Sequence, residues 1–253
     1  MKRILALGGG GFLIENRHSP IDRYIVSLTG KVRPRICFVS TPSGDLPETI
    51  DRFYEAYRAL DCEPCHLAFF RNPVPGAIAL AGIAETLLGM DAIFVGGGNT
   101  KSALGVWREW GLPDIFQRAL AAGVLLAGIS AGAICWYESG ITDSVWGAGL
   151  QPLRGLGFLG GACSVHYHSD PGRRDTLHEG VQARNFPDAV GIDDYAAVLY
   201  EDGRIAKVVN WRRGATAYRV VSRDGRIIEE ALPSESIRPI RNPQDSPRRS
   251  RPS

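Results

Sequence analysis

Three times in the first 132 residues a short apolar run stops directly at glycine. Residues 4–7 run into the four glycines 8–11, residues 92–95 into the three glycines 96–98, and residues 124–127 into Gly128 and Gly132. A short, continuously apolar strand is the kind that parallel sheets bury on both faces. Glycine directly after it lets the chain turn sharply and lets backbone approach another group closely. Open α/β sheets place their chemistry in the loops at the carboxyl ends of such strands. The three clusters are therefore expected to converge on one rim.

Helix-like segments separate these runs. Ser19, Pro20 and Gly30 punctuate a first helix as cap, first turn and stop. Residues 36–39 read as a second strand. Residues 46–60 are amphipathic, with Ile50, Phe53, Tyr54, Tyr57 and Leu60 recurring at helical spacing. A third strand is expected at 67–70 and a helix at 77–88. This alternation predicts a three-layer α/β fold, with a mostly parallel central sheet and helices on both faces. In the last third, Asp202-Gly203 and Asp224-Gly225 each separate two strand-like runs, a hairpin signal that adds C-terminal antiparallel hairpins to the same domain. The expectation is one α/β domain over 1–240 and a disordered Pro/Ser/Arg-rich tail over 241–253.

Composition narrows the class. The chain has 253 residues, 44% hydrophobic and 22% charged, which is a globular balance and excludes wholesale disorder. The net charge of +2 is too small to argue for nucleic acid, and Arg241, Arg248, Arg249 and Arg251 of the tail supply it against only Asp245. No apolar run approaches the roughly 18 residues of a membrane span. Met1-Lys2-Arg3 followed by Ile4–Leu7 resembles the start of an export signal, but the glycines from Gly8 cut it short, so a buried first strand is expected. Five cysteines, an odd number in a chain too long to need staples, point to reduced thiols in a cytoplasm. Cys62-Glu63-Pro64-Cys65-His66 matches a haem-attachment spacing, but there is no export signal and no second cysteine pair to complete a zinc site. It reads as a helix end turning into a strand, with Cys65 packed as a small hydrophobe.

The most specific local feature is Gly128-Ile129-Ser130-Ala131-Gly132, a G-x-S-x-G sequence after an apolar strand and before a helix expected at 131–137. That context marks a nucleophile elbow, in which small neighbours let a sharp turn project the serine. The Ala131 amide at the helix start then points where an oxyanion forms. The bland alternative is a serine that only caps the helix. A serine nucleophile needs a base. His18 lies beside a helix start, His66 in the cysteine cluster and His178 on a surface helix, which leaves His166 and His168 at the end of a strand at 163–165. These two, with Asp170, also invite a metal reading, although no further ligand is evident. Asp193 and Asp194, after the strand at 189–192, supply a carboxylate to orient the imidazole. The order Ser…His…Asp differs from that of α/β-hydrolases.

With these residues assembled, the sequence resembles the peptidase E family of aspartyl dipeptidases, to which cyanophycinases are related. The resemblance is carried by Val95-Gly96-Gly97-Gly98-Asn99-Thr100, Gly128-Ile129-Ser130-Ala131-Gly132-Ala133, His166-Tyr167 and Gly191-Ile192-Asp193-Asp194, and it spans about residues 1–230. It implies a glutamine-amidotransferase-like α/β fold with serine as nucleophile and no metal or other cofactor. It implies Ser130 as nucleophile, His166 as base, the amides of Gly98 and Ala131 as oxyanion hole, and Asn99 near the substrate. The third member falls on Asp194, where many members carry glutamate, and the shorter side chain keeps Asp193 open. Arg173, with Arg174 beside it, stands where the family needs a cation for the aspartyl carboxylate; the alternative is a solvated basic helix start. The segment between His166 and Asp194 is shorter than in the best-known aspartyl dipeptidases, and His168 is unusual there.

The expected activity is therefore a serine peptidase acting on short peptides, dipeptides with amino-terminal aspartate first among them. Its partner is a small peptide, with neither nucleic acid nor membrane, and a homodimer is left open. The rivals are a cyanophycinase-like hydrolase of another aspartyl peptide, a nucleotide-binding protein, and a non-catalytic binding member of the fold. Position 13 is Leu13, so the first glycine cluster lacks the G-x-G-x-x-G spacing, and no P-loop is present.

Overall fold

A computed structural model describes residues 1–15, 19–70, 75–186 and 188–237. The expected basic tail and His18 lie outside these residues. Five parallel strands form the heart of an eight-stranded sheet: β1 (Arg3–Leu7), β2 (Arg35–Val39), β3 (Glu63–Leu67), β4 (Ala92–Val95) and β5 (Leu125–Ile129). The hairpin of β10 (Ala196–Glu201) and β11 (Arg204–Asn210) extends it antiparallel beside β1, and β14 (Ser234–Ser236) closes that edge.

Alternation along β1 explains the layering. Leu5 and Leu7 face a core with α1 (Pro20–Thr29) and α2 (Pro47–Arg58), where Ile21, Ile25, Phe53 and Tyr57 are buried. Ile4 and Ala6 face the opposite core, built by α3 (Ile83–Leu88), α4 (Thr100–Glu109) and α5 (Leu112–Ala121). Helices thus cover both faces, as the alternation predicts.

The sequence reading did not foresee a second sheet of six strands, β6 (Tyr137–Thr142), β7 (Gln151–Arg154), β8 (Leu159–Val165), β9 (Asp188–Ile192), β12 (Ala217–Arg223) and β13 (Arg226–Ala231). Cys163, Val165, Ile192 and Ala217 pack into the same core as α3–α5, while Ile141, Ala162, Ala189 and Val220 bury the other face under α7 (Arg173–Gln182). Both Asp-Gly turns do close hairpins, but only β10–β11 joins the central sheet; β12–β13 pairs with β9 instead. Between β9 and β10 the chain crosses from one sheet to the other at Asp193-Asp194-Tyr195.

Local departures have local causes. Strand three ends at Leu67 because the Phe69 and Phe70 amides turn away to the Asp45 carboxylate. The helix expected from residue 77 starts at Ile83, since His66 brackets that stretch, its amide donating to the Gly76 carbonyl and its carbonyl accepting from Ile78. The helix after Ser130, α6, spans only Ala131–Ile134, because Tyr137 already pairs in β6. Ser19 occupies the cap position of α1 without bonding a helix amide; its hydroxyl donates to Glu15 Oε2. Pro20 and Gly30 act as read, with Gly30 in the left-handed conformation. Cys65 lies in β3 and packs against the core, and His66 is buried on the Tyr54 hydroxyl.

Candidate active site

Five strand ends build the site: β1, β4 and β5 from the central sheet, and β8 and β9 from the second. Ser130 follows β5 with φ 54° and ψ −115°, a conformation that costs a non-glycine residue about 1–3 kcal/mol. Its surroundings over-determine it. The Ser130 amide donates to the Leu7 carbonyl, and its carbonyl accepts from Ala133 and Ile134. A Cβ at Gly128 would strike the Gly132 carbonyl, and one at Gly132 would strike the Val95 carbonyl. Gly128 is therefore required by the contact of β5 with α6, and Gly132 by the contact of α6 with the end of β4. The Ser130 hydroxyl makes no capping bond to α6, so the capping role leaves it unexplained.

The hydroxyl instead lies 2.9 Å from His166 Nε2, and His166 Nδ1 lies 2.6 Å from Asp194 Oδ1. An ionised carboxylate only accepts, so the proton sits on Nδ1 and leaves Nε2 free to accept from serine. Burial works against the Asp194 charge. Hydrogen bonds from His166 and Ser169, with the positive charge of Arg212 adding to them, outweigh it and hold the carboxyl below its usual range. Ser169 donates to Asp194 Oδ2 at 2.6 Å. The sequence reading missed this residue; its only signal is that it lies three positions beyond His166.

Asp193 makes a separate pair. Its Oδ1 lies 2.8 Å from His168 Nδ1, and its Oδ2 accepts from the Thr216 amide at 3.2 Å. The adjacent carboxylates thus divide between two histidines: Asp194 meets His166, and Asp193 meets His168. Since His166 and His168 turn to different carboxylates, the metal reading loses its ligand cluster. Among the described residues no group of three or more His, Cys, Asp or Glu is placed to hold a metal ion.

The glycines after β4 lie against the serine. A Cβ on Gly97 would sit 3.4 Å from Ser130 Cβ. Gly98 has φ 133°, and a side chain there would collide with the Pro42 carbonyl, which also accepts from the Asn99 amide at 2.7 Å. Neither the Gly98 nor the Ala131 amide has an acceptor among the described residues. Asn99 caps α4: its Oδ1 accepts from Ser102, and its Nδ2 donates to the Ser144 carbonyl. Its side chain fixes the loop that carries Gly98.

Arg173 lies apart from the substrate role expected of it. Its side chain is only 4% exposed, with Nη1 on the Ile141 carbonyl, Nε on Asp170 at 3.0 Å and Nη2 3.5 Å from Asp143. It is neither a solvated helix start nor an open cation; it ties the first turn of α7 to the end of β6. Arg174 is paired with Glu229. His178, read as a surface residue, is half-buried and also meets Glu229, at 2.7 Å.

A family model described as "Peptidase family S51" matches residues 4–208, which include the serine, the histidine and both aspartates. The chain belongs to peptidase family S51. This S51 peptidase is 42% identical over 233 residues to the uncharacterized peptidase YgaJ of Bacillus subtilis (strain 168), covering 92% of this chain and 98% of that one. Family and relative together make the protein a serine peptidase. Its fold is similar to that of a peptidase from an acI-B1 Actinobacterium, with a TM-score of 0.66 at 15% identity over 92% and 95% of the two chains. A Listeria monocytogenes EGD-e protein assigned to peptidase E matches with a TM-score of 0.54 at 16% identity, over 92% of this chain and 100% of the other. Among the described residues of the S51 peptidase no helix is long and apolar enough to cross a membrane.

Proposed function

We propose that this S51 peptidase hydrolyses short peptides, with dipeptides carrying amino-terminal aspartate as the preferred class, through Ser130, His166 and Asp194. The observation that supports it most is the continuous contact from Ser130 Oγ through His166 to Asp194, at 2.9 and 2.6 Å.

In this reading His166 Nε2 takes the hydroxyl proton as Ser130 Oγ bonds to the scissile carbonyl carbon. The charge that develops on the carbonyl oxygen is met by the Gly98 and Ala131 amides. As the C–N bond breaks, His166 returns the proton to the leaving amine, and the acyl group stays on Ser130 as an ester. Water then adds with His166 again as base, and the Ser130 oxygen leaves with a proton as the acid is released. Asp194 keeps the imidazole in the tautomer that accepts from serine and stabilises it when charged. The proposed setting is the cytoplasm, in keeping with five free cysteines, and no nucleic-acid or membrane partner is invoked. A dipeptide series varied at the first residue tests the substrate class. An acidic first residue should raise kcat/KM at least tenfold over a neutral one, and equal rates would overturn the aspartyl preference.

A further inference from the structure

With Arg173 taken up by Asp170, Asp143 and the Ile141 carbonyl, an acidic substrate needs a different cation. We infer that Arg212 receives a carboxylate of the substrate and is the specificity-determining residue of this site. The inference rests on the peptidase reading of Ser130 above.

Arg212 opens the turn that follows β11, where its carbonyl accepts from Ala215 at 3.2 Å. It is exposed, yet its guanidinium is not loose: Cζ stands 3.4 Å from the centroid of the Tyr195 ring. A guanidinium stacked on an aromatic face keeps its N–H edge free, in the planar fork that holds a carboxylate with two parallel hydrogen bonds. Stacking also restricts the side chain beforehand, so less freedom is lost when a ligand binds.

The platform beneath it belongs to the catalytic frame. Tyr195 directly follows Asp194, with φ 63°, and its amide donates to the Gly9 carbonyl at 2.9 Å. The Trp211 amide donates to the Tyr195 carbonyl, and the Trp211 indole donates to Glu15 Oε2, which also accepts from the Gly11 amide. Arg212 is thereby held in register with the loop that positions Asp194. Its charge reaches that carboxylate, where it favours ionisation. Arg174, by contrast, is neutralised by Glu229, whereas Arg212 makes no ion pair with a described carboxylate. A pre-stacked guanidinium beside a triad, with no described carboxylate paired to it, is a receptor for substrate charge.

The test compares wild type, Arg212→Gln and Arg212→Lys on three substrates: aspartyl-alaninamide, alanyl-alanine and the uncharged ester p-nitrophenyl acetate. For the carboxylate-bearing peptide that wild type prefers, Arg212→Gln should lower kcat/KM about 10–100-fold, mainly through KM. Ester turnover should stay within about threefold, and Arg212→Lys should recover part of the loss. A loss confined to aspartyl-alaninamide assigns Arg212 to the aspartyl side chain, and a loss confined to alanyl-alanine assigns it to the terminal carboxylate; either supports the inference. An unchanged preference overturns it, as does an equal fall on all three substrates, which would mean that Arg212 acts only through Asp194. If wild type turns over neither peptide nor ester and Ser130 takes no fluorophosphonate label, the peptidase reading itself fails, and this inference with it.

Discussion

Gly9 and Asp194 lie so close that a Cβ on Gly9 would strike the carboxylate Oδ1, the oxygen that faces His166. The two residues form a parallel bridge between the loop after β1 and the crossing between the two sheets. Gly9→Ala should therefore push the carboxylate off His166 without emptying the core. The expected result is a fall in kcat of about 100-fold, as for a catalytic group misplaced by about 1 Å, with little change in circular dichroism. A folded Gly9→Ala protein with unchanged kcat would show that the carboxylate position is unimportant.

The two neighbouring aspartates should separate cleanly. Asp194→Asn removes the acceptor that fixes the His166 tautomer, and kcat should fall by about 10⁴. Asp193→Asn disturbs His168 and the Thr216 amide, and kcat should fall less than about tenfold. Steady-state kinetics on one dipeptide decides it, and a reversed order would move the orienting role to Asp193.

Why the site was more legible than the scaffold follows from what each depends on. Ser130, Gly98 and Ala131 announce themselves because short-range backbone contacts demand small residues at fixed spacing. The pairing of His166 with Asp194 rather than Asp193 depends on how β8 and β9 end beside each other, a long-range contact that adjacent identical residues cannot encode. The second sheet was hidden for a similar reason. Its strand β6 begins two residues after the helix that carries the elbow, and Tyr137 gains its strand partner only from β8, more than twenty residues on. Arg173 reads in sequence as a cation open to a substrate carboxylate because Asp143, one of the carboxylates that take it up, lies thirty residues upstream.

Gly98 offers a backbone test of the oxyanion hole. With φ 133° and the Pro42 carbonyl where a side chain would go, Gly98→Ala must shift the loop and its amide. Loss of one oxyanion donor costs about 10²–10³ in kcat, and that range is expected with KM little changed. Full kcat in a folded Gly98→Ala variant would exclude this amide from the hole.

Asp22 sets a pH dependence of stability away from the chemistry. Burial is the main cause that pushes its carboxyl from 3.8 up to about 8, against a hydrogen bond from the Tyr57 hydroxyl and with the charge of Glu15 adding to the rise. The folded value is raised, so its stabilising contribution is complete below about pH 4 and is lost as pH rises toward 8, at about 1.4 kcal/mol per pH unit. Asp22→Asn removes this slope. Urea unfolding between pH 5 and 8 should show the variant gaining on wild type as pH rises, and parallel curves would contradict the assignment.

In the proposed reaction the Ser130 oxygen forms the covalent bond to substrate. Hydrolysis of an Asp-X dipeptide by wild type and by Ser130→Ala, each confirmed folded by circular dichroism, tests it most directly. Wild type should turn the dipeptide over measurably and the variant should lose at least about 10³-fold; near-wild-type turnover by Ser130→Ala would mean that another group carries the acyl chain.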